Sequence, residues 1–210
     1  MRYFPAGLNL SEKKIVVIGG GSVAARKALS LLQSGGSPLV IAPRLARSFL
    51  RFKRKIRHLA RRYRAGDLKG VFLAVDATGE AKLHEIIRQE ARREGVLLNV
   101  VDRPALCDFI FPAIVRRGDF VISVSTGGAS PAFARKIRRR LGRLYGPEYG
   151  RLARILEKVR LEIPAGERVK YRAVFRKVAH WPLLRRIQKG DGGGVKKLIE
   201  REVRKKRGDR

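Results

Sequence analysis

The stretch Lys14-Ile-Val-Val-Ile-Gly-Gly-Gly-Ser-Val-Ala-Ala-Arg-Lys27 decides the fold. It opens with a short β-branched run, the pattern of a strand buried on both faces. The run stops at three glycines, and from Val23 to Gln33 apolar positions recur at helical spacing. Strand, tight turn and helix thus follow one another directly. Gly35 and Gly36 end the helix, Pro38-Leu-Val-Ile-Ala42 reads as a second buried strand, and Pro43 breaks it. A complete βαβ unit is present in about thirty residues.

Inside that unit, Gly19-x-Gly21-x-x-Ala24 has the spacing of a dinucleotide-binding turn. The first glycine makes the turn, the second lets backbone approach a pyrophosphate, and a small third residue lets helix meet strand. The helix N-terminus then offers its dipole and free N–H groups to the phosphates. The acidic residue that commonly closes the second strand and binds the ribose hydroxyls is missing, because Ile41-Ala-Pro-Arg44 stands there. Arg44 suits a 2′-phosphate, or Pro43 and Arg44 pack over the adenosine through their backbone, so NAD and NADP both stay open.

Working outward, residues 45–65 are strongly basic and are expected to form a helix followed by an edge strand. Val71-Phe-Leu-Ala-Val75 is a third strand, followed by a turn at 76–79 and a helix from about Ala81 to Glu94, closed by Gly95. Val96-Leu-Leu-Asn-Val-Val101 is a fourth buried strand with Asp102 at its end, where open α/β sheets bind their ligands. Past Pro112 the pattern changes. Ala113–Val115 and Phe120–Val124 read as a hairpin, and a helix opens at Pro131 behind Ser130. From Pro147 the chain reads as helices, with Leu152, Ile155, Leu156 and Val159 on one face and breaks at 164–166 and 190–194. The last stretch, 195–210, reads as a basic helix that frays at its end. The expected class is α/β: a Rossmann-type parallel sheet over 1–112, a small hairpin-plus-helix unit over 113–145, and a basic helical region over 146–210.

Composition narrows the function. Lys and Arg number 49 against 18 Asp and Glu, a formal charge of +31 that attracts polyanions, whether nucleic acid or a small substrate ringed with carboxylates. Cys107 is the only cysteine, which excludes an intrachain disulfide and any multi-cysteine metal site, and reads as a small buried thiol. His58, His84 and His180 have no paired spacing, so no dedicated metal site is expected. No apolar run reaches the roughly 20 residues of a membrane helix, and Met1 to Leu10 lacks the features of a secretory signal, so the cytoplasm is the expected location.

Three segments together carry a family resemblance: Val17-Ile-Gly-Gly-Gly-Ser-Val-Ala-Ala-Arg-Lys27, Asn99-Val-Val-Asp102 and Ser123-Val-Ser-Thr-Gly-Gly-Ala-Ser-Pro131. In that order and spacing, from about Tyr3 to Leu144, the chain resembles the precorrin-2 dehydrogenase family of sirohaem synthesis, including the N-terminal module of sirohaem synthases. The resemblance implies NAD-dependent oxidation of precorrin-2 to sirohydrochlorin on a homodimer, with 113–145 as the dimerisation unit, and in some members insertion of ferrous iron. It implies a catalytic role for Asp102, dinucleotide contacts at Ser22, Val23, Pro43, Arg44 and Thr78 beside Gly19 and Gly21, and macrocycle contacts at Ser125, Thr126 and Gly127. That last segment equally reads as a plain linker from hairpin to helix. Gly79-Glu80 departs from the family pattern, so of that loop only Thr78 carries over. The competing expectation, from another class, is a basic nucleotide-sensing protein that binds nucleic acid; it accounts for the charge and leaves Asn99-Val-Val-Asp102 without a role.

Overall fold

The computed structural model describes residues 3–178 and 181–208. The chain divides into two compact units, Met1–Phe111 and Pro112–Arg210. The basic end beyond 208 and His180 lie outside the described residues.

The first unit is a five-stranded parallel sheet built from β1 (Lys14–Ile18), β2 (Ser37–Ile41), β3 (Arg57–Leu59), β4 (Leu73–Asp76) and β5 (Leu97–Val100), in the order β3-β2-β1-β4-β5. Two helices connect strands: α1 (Ser22–Leu32) between β1 and β2, and α2 (Ala81–Glu94) between β4 and β5. In β1, Val17 sits opposite Val40 of β2 and Val75 of β4. Alternation along β1 feeds two cores. Ile15 and Val17 join Ala24, Ala28 and Leu31 of α1, whereas Val16 and Ile18 join Ile87 and Ala91 of α2. A central strand covered on both faces must be apolar throughout, which explains the unbroken run in the sequence. α2 ends as expected at Gly95, whose φ of +67° suits a residue without a Cβ.

The basic stretch 45–65 corrects one expectation. It forms no α-helix but two short 3-10 turns, Arg47–Phe49 and Lys53–Lys55, before the edge strand β3. Phe49 and Phe52 are buried against α1 and each other, with ring centroids 5.5 Å apart. Leu50, between them, stays exposed. Two anchors three residues apart among so many cations leave too narrow an apolar face for a longer helix.

The second unit opens with an antiparallel hairpin, β6 (Ala113–Arg117) and β7 (Phe120–Val124), followed by α3 (Pro131–Leu144). Arg117 donates from Nε to the Tyr145 carbonyl at 3.0 Å and from Nη2 to the Gly142 carbonyl at 2.8 Å, capping the end of α3. α4 (Pro147–Leu161) then crosses so close that a Cβ on Gly150 would stand 2.0 Å from the Arg117 carbonyl oxygen. α5 (Arg172–Val178), α6 (Trp181–Gln188) and α7 (Gly192–Gly208) complete a helical core in which Leu152, Val159, Leu183, Ile187, Val195 and Ile199 are buried together. The break expected at 190–194 is present between α6 and α7, at 189–191, but is shorter than expected. Gly192–Gly194 form the first turn of α7, because the Asp191 carboxylate accepts from the Gly194 N–H at 2.9 Å and supplies the cap.

Candidate functional site

The parallel strands of the first unit bring their carboxyl ends to one edge, and chain order reverses between β1 and β4. That is where such sheets bind ligands. Gly19 leaves β1 with φ +115°, and a Cβ there would stand 2.5 Å from the Ala77 carbonyl oxygen after β4. The turn therefore requires glycine at this position. Gly21 is the N-cap of α1 and differs in kind: no atom lies within 4 Å of where its Cβ would be. Gly21 and Ser22 are exposed, Val23 is half-buried, and α1 has no acidic residue in its first turn. A helix N-terminus with open backbone and no competing carboxylate fits a phosphate group.

Gly20, in the middle of the turn, packs against the loop that follows β2. A Cβ there would stand 1.9 Å from the Arg44 carbonyl oxygen, and the Gly20 carbonyl accepts from the Ala46 N–H at 2.8 Å. With Gly19 N–H donating to the Ile41 carbonyl at 2.9 Å, the glycine turn is sewn to the loop after β2. Pro43 and Arg44 in that loop are both exposed. His58 closes the far side, its Nε2 donating to the Ala42 carbonyl at 2.8 Å.

Thr78 is held by a residue that sequence reasoning passed over as part of a turn. Asp76 at the end of β4 is fully buried, and its Oδ1 accepts from the Thr78 N–H at 3.1 Å and from Thr78 Oγ1 at 2.8 Å. Its Oδ2 lies 2.6 Å from Nδ1 of buried His84 on α2. Both oxygens of a buried carboxylate are thus satisfied, as burial demands. His84 is a partner within the core that fixes the loop carrying Thr78.

Asp102 follows β5 with φ +60°, a left-handed conformation uncommon outside glycine, and its side chain is exposed. It stands at the same carboxyl-end edge as the glycine turn. Nearby Cys107 is buried, donating to the Val100 carbonyl and accepting from the Val100 N–H, both at 3.2 Å. Burial pushes its thiol above the ordinary range. Asn99 donates to the Phe109 carbonyl at 2.9 Å and so shapes the chain that follows Asp102.

Ser125, Thr126 and Gly127 belong to the second unit, between β7 and α3. Ser125 Oγ accepts from the Gly127 N–H at 3.1 Å and Thr126 Oγ1 from the Ser130 N–H at 3.0 Å. Ser130 in turn caps α3, accepting from the Phe133 N–H at 3.2 Å. Gly127 is exposed with φ +63°. Among the described residues, no group of three or more His, Cys, Asp or Glu is placed to hold a metal ion, and no helix is long and apolar enough to cross a membrane.

Comparison with known proteins adds two family models and a set of relatives. Residues 6–113 match the family described as putative NAD(P)-binding, and residues 117–144 match the one described as sirohaem biosynthesis protein, central. A siroheme synthase of Nitrosomonas eutropha is 41% identical over 156 residues, 73% of this chain and 33% of that protein. A siroheme synthase of Chromobacterium violaceum is 35% identical over 207 residues, 97% of this chain and 44% of that protein. The chain spans less than half the length of these curated relatives. A solved structure, SirC, precorrin-2 dehydrogenase, shares the fold with a TM-score of 0.71 at 21% identity, covering 95% of this chain and 100% of that one.

Proposed function

We propose, from the premise that this chain belongs to the putative NAD(P)-binding family, that it oxidises precorrin-2 to sirohydrochlorin in sirohaem biosynthesis with NAD as acceptor. The observation that carries the reading is the exposed carboxylate of Asp102, held left-handed at the carboxyl end of β5, on the same sheet edge as an open glycine turn. The names of the siroheme synthase relatives and the central sirohaem family match at 117–144 point to the same chemistry.

The residues present fit a dinucleotide, since Gly19 admits no side chain, Gly21 leaves open space and the start of α1 carries no acidic residue. Gly19, Gly21, Ser22 and Val23 would hold its phosphates, and Pro43, Arg44 and Thr78, the last anchored by Asp76, would contact the rest of the dinucleotide. The bound nicotinamide supplies the two-electron acceptor. Asp102 takes the proton that the macrocycle releases as those electrons leave, a role for which an exposed carboxylate is suited. Ser125, Thr126 and Gly127 receive substrate carboxylates through hydroxyls and backbone N–H groups. The charge of +31 steers a polycarboxylate toward the protein. The second unit supplies the dimer contact: Val121 on β7 and Phe133 and Leu144 on α3 are exposed apolar side chains. The working unit is a homodimer in the cytoplasm.

The test is anaerobic absorbance with enzymatically made precorrin-2, following nicotinamide reduction with NAD and with NADP. Asp102→Asn, which tolerates the left-handed backbone as Asp does, is expected to keep its melting temperature and dinucleotide affinity while turnover falls about 10²–10⁴-fold. A wild-type protein that binds the tetrapyrrole and reduces neither dinucleotide sinks the reading. The same assay with ferrous iron tests chelation.

A further inference from the structure

Lys27 is the sixth residue of α1. Its stem is half-buried, and its Nζ lies 3.8 Å from the centroid of the Phe111 ring. Among the described residues it makes no ion pair or hydrogen bond. Burial lowers its ammonium to about 8, aided by adjacent Arg26 and opposed in part by Asp102. A desolvated ammonium without an anion is costly, and it gains more than a solvated one from any carboxylate brought to it.

Its position says which anion that is. Lys27 lies about 7.5 Å along the helix axis from Ser22, on the flank of α1 and away from the tip that faces a pyrophosphate. It packs on Phe111, which shares one apolar cluster with the buried face of α1 and with Val101, the residue before Asp102. Arg44 and the adenosine-side loop follow β2, on the other side of the chain reversal. The unpartnered charge therefore belongs to the half of the site where Asp102 works.

We propose that Lys27 is a substrate-binding residue, its ammonium pairing with a carboxylate of the anionic macrocycle beside Asp102. The aromatic ring of Phe111 holds the ammonium in place until the substrate arrives. This assignment rests on the function proposed above and deepens it by naming a cation that selects a carboxylate-bearing substrate.

The experiment uses the full chain under anaerobic conditions. Lys27→Met is expected to raise the KM for precorrin-2 by about tenfold or more, the usual worth of a hydrogen bond to a charged group, with NAD affinity within twofold of wild type. Lys27→Arg, which keeps the charge, is expected to stay within roughly threefold. A Met variant with wild-type KM overturns the assignment and leaves the dehydrogenase reading standing. A wild type that neither binds tetrapyrrole nor reduces the dinucleotide overturns that reading, and this one with it. Should the Met variant fail to fold, amine acylation of the wild type followed by peptide mass mapping decides: sirohydrochlorin, and not NAD alone, is expected to protect Lys27. Equal labelling with and without sirohydrochlorin overturns the proposal.

Discussion

Gly20 and Gly21 are neighbours of identical chemistry, and replacing each by alanine separates a glycine that the fold needs from one that the ligand needs. At Gly20 the added Cβ would meet the Arg44 carbonyl oxygen at 1.9 Å and Ala42 Cβ at 2.9 Å. Neither obstacle is the end of a flexible side chain, so the loop after β2 must move and the Ala46 N–H bond to the Gly20 carbonyl weakens. Overpacking of this kind costs about 2 kcal/mol, lowering the melting temperature by roughly 4–8 °C. At Gly21 nothing lies within 4 Å and φ is −77°, which alanine adopts without strain. The only folding cost is a poorer N-cap, about 1 kcal/mol or less. In the proposed complex, however, the new methyl group occupies the open space assigned to the pyrophosphate. A clash costing about 1–3 kcal/mol in the complex corresponds to dinucleotide binding weakened about 5- to 150-fold. Differential scanning calorimetry and equilibrium titration with NAD read the two quantities separately. Unchanged NAD affinity in a folded Gly21→Ala would refute the placement of the phosphates over this turn. A Gly20→Ala protein as stable as wild type would refute the tight approach of Arg44.

Glu90, buried on α2, accepts from the Tyr63 hydroxyl and from the N–H groups of Gly66 and Leu68, the latter two at 3.0 and 2.9 Å. Glu90→Ala strands three donors and is expected to destabilise the protein by about 3 kcal/mol or more in chemical denaturation; a loss under 1 kcal/mol would mean that water replaces the carboxylate. Burial raises the Cys107 thiol, so at pH 8 iodoacetamide is expected to label the native protein at least tenfold more slowly than the urea-unfolded one, and equal rates would contradict the packing around Val100. Arg61 holds the Asp67 carboxylate through bonds of 2.8 and 2.7 Å and keeps it below its ordinary value of 3.8. Because the folded-state value is depressed, this stabilisation is present above the unfolded value and is lost as pH falls through the folded one. Asp67→Asn is therefore expected to flatten the acid limb of a melting-temperature profile below about pH 4, while an unaltered limb would show that the pair contributes nothing.

Much of the first unit was legible because its strands are covered on both faces and must be apolar throughout, while glycines mark where they turn. Ile15 to Ile18 and Leu73 to Val75 needed no partner to be recognised. The glycine spacing located the tight turn after β1 for the same reason, since a φ of +115° at Gly19 is a local demand on one residue. Cap chemistry is equally local, and Ser130 ahead of Pro131 marked the start of α3. At 45–65 the local signal was insufficient: Phe49 and Phe52 read as two apolar residues in a basic stretch until α1 is there to cover them. The break at 190–194 was legible, but its bounds were not: capping by Asp191 and burial of Val195 and Ile199 draw Gly192–Gly194 into α7.

The sequence by itself determined the alternation of strands and helices, the glycine turn at the end of β1, and the placing of Asp102 at the carboxyl end of β5. Only the tertiary structure decided which glycine touches Arg44 and that Lys27 stands half-buried against Phe111. The division has one physical reason. Strand runs, turns and caps are set by forces between residues close in the chain, whereas contacts such as Gly20 with Arg44 or Lys27 with Phe111 join residues far apart in it, and exist only once packing has brought them together.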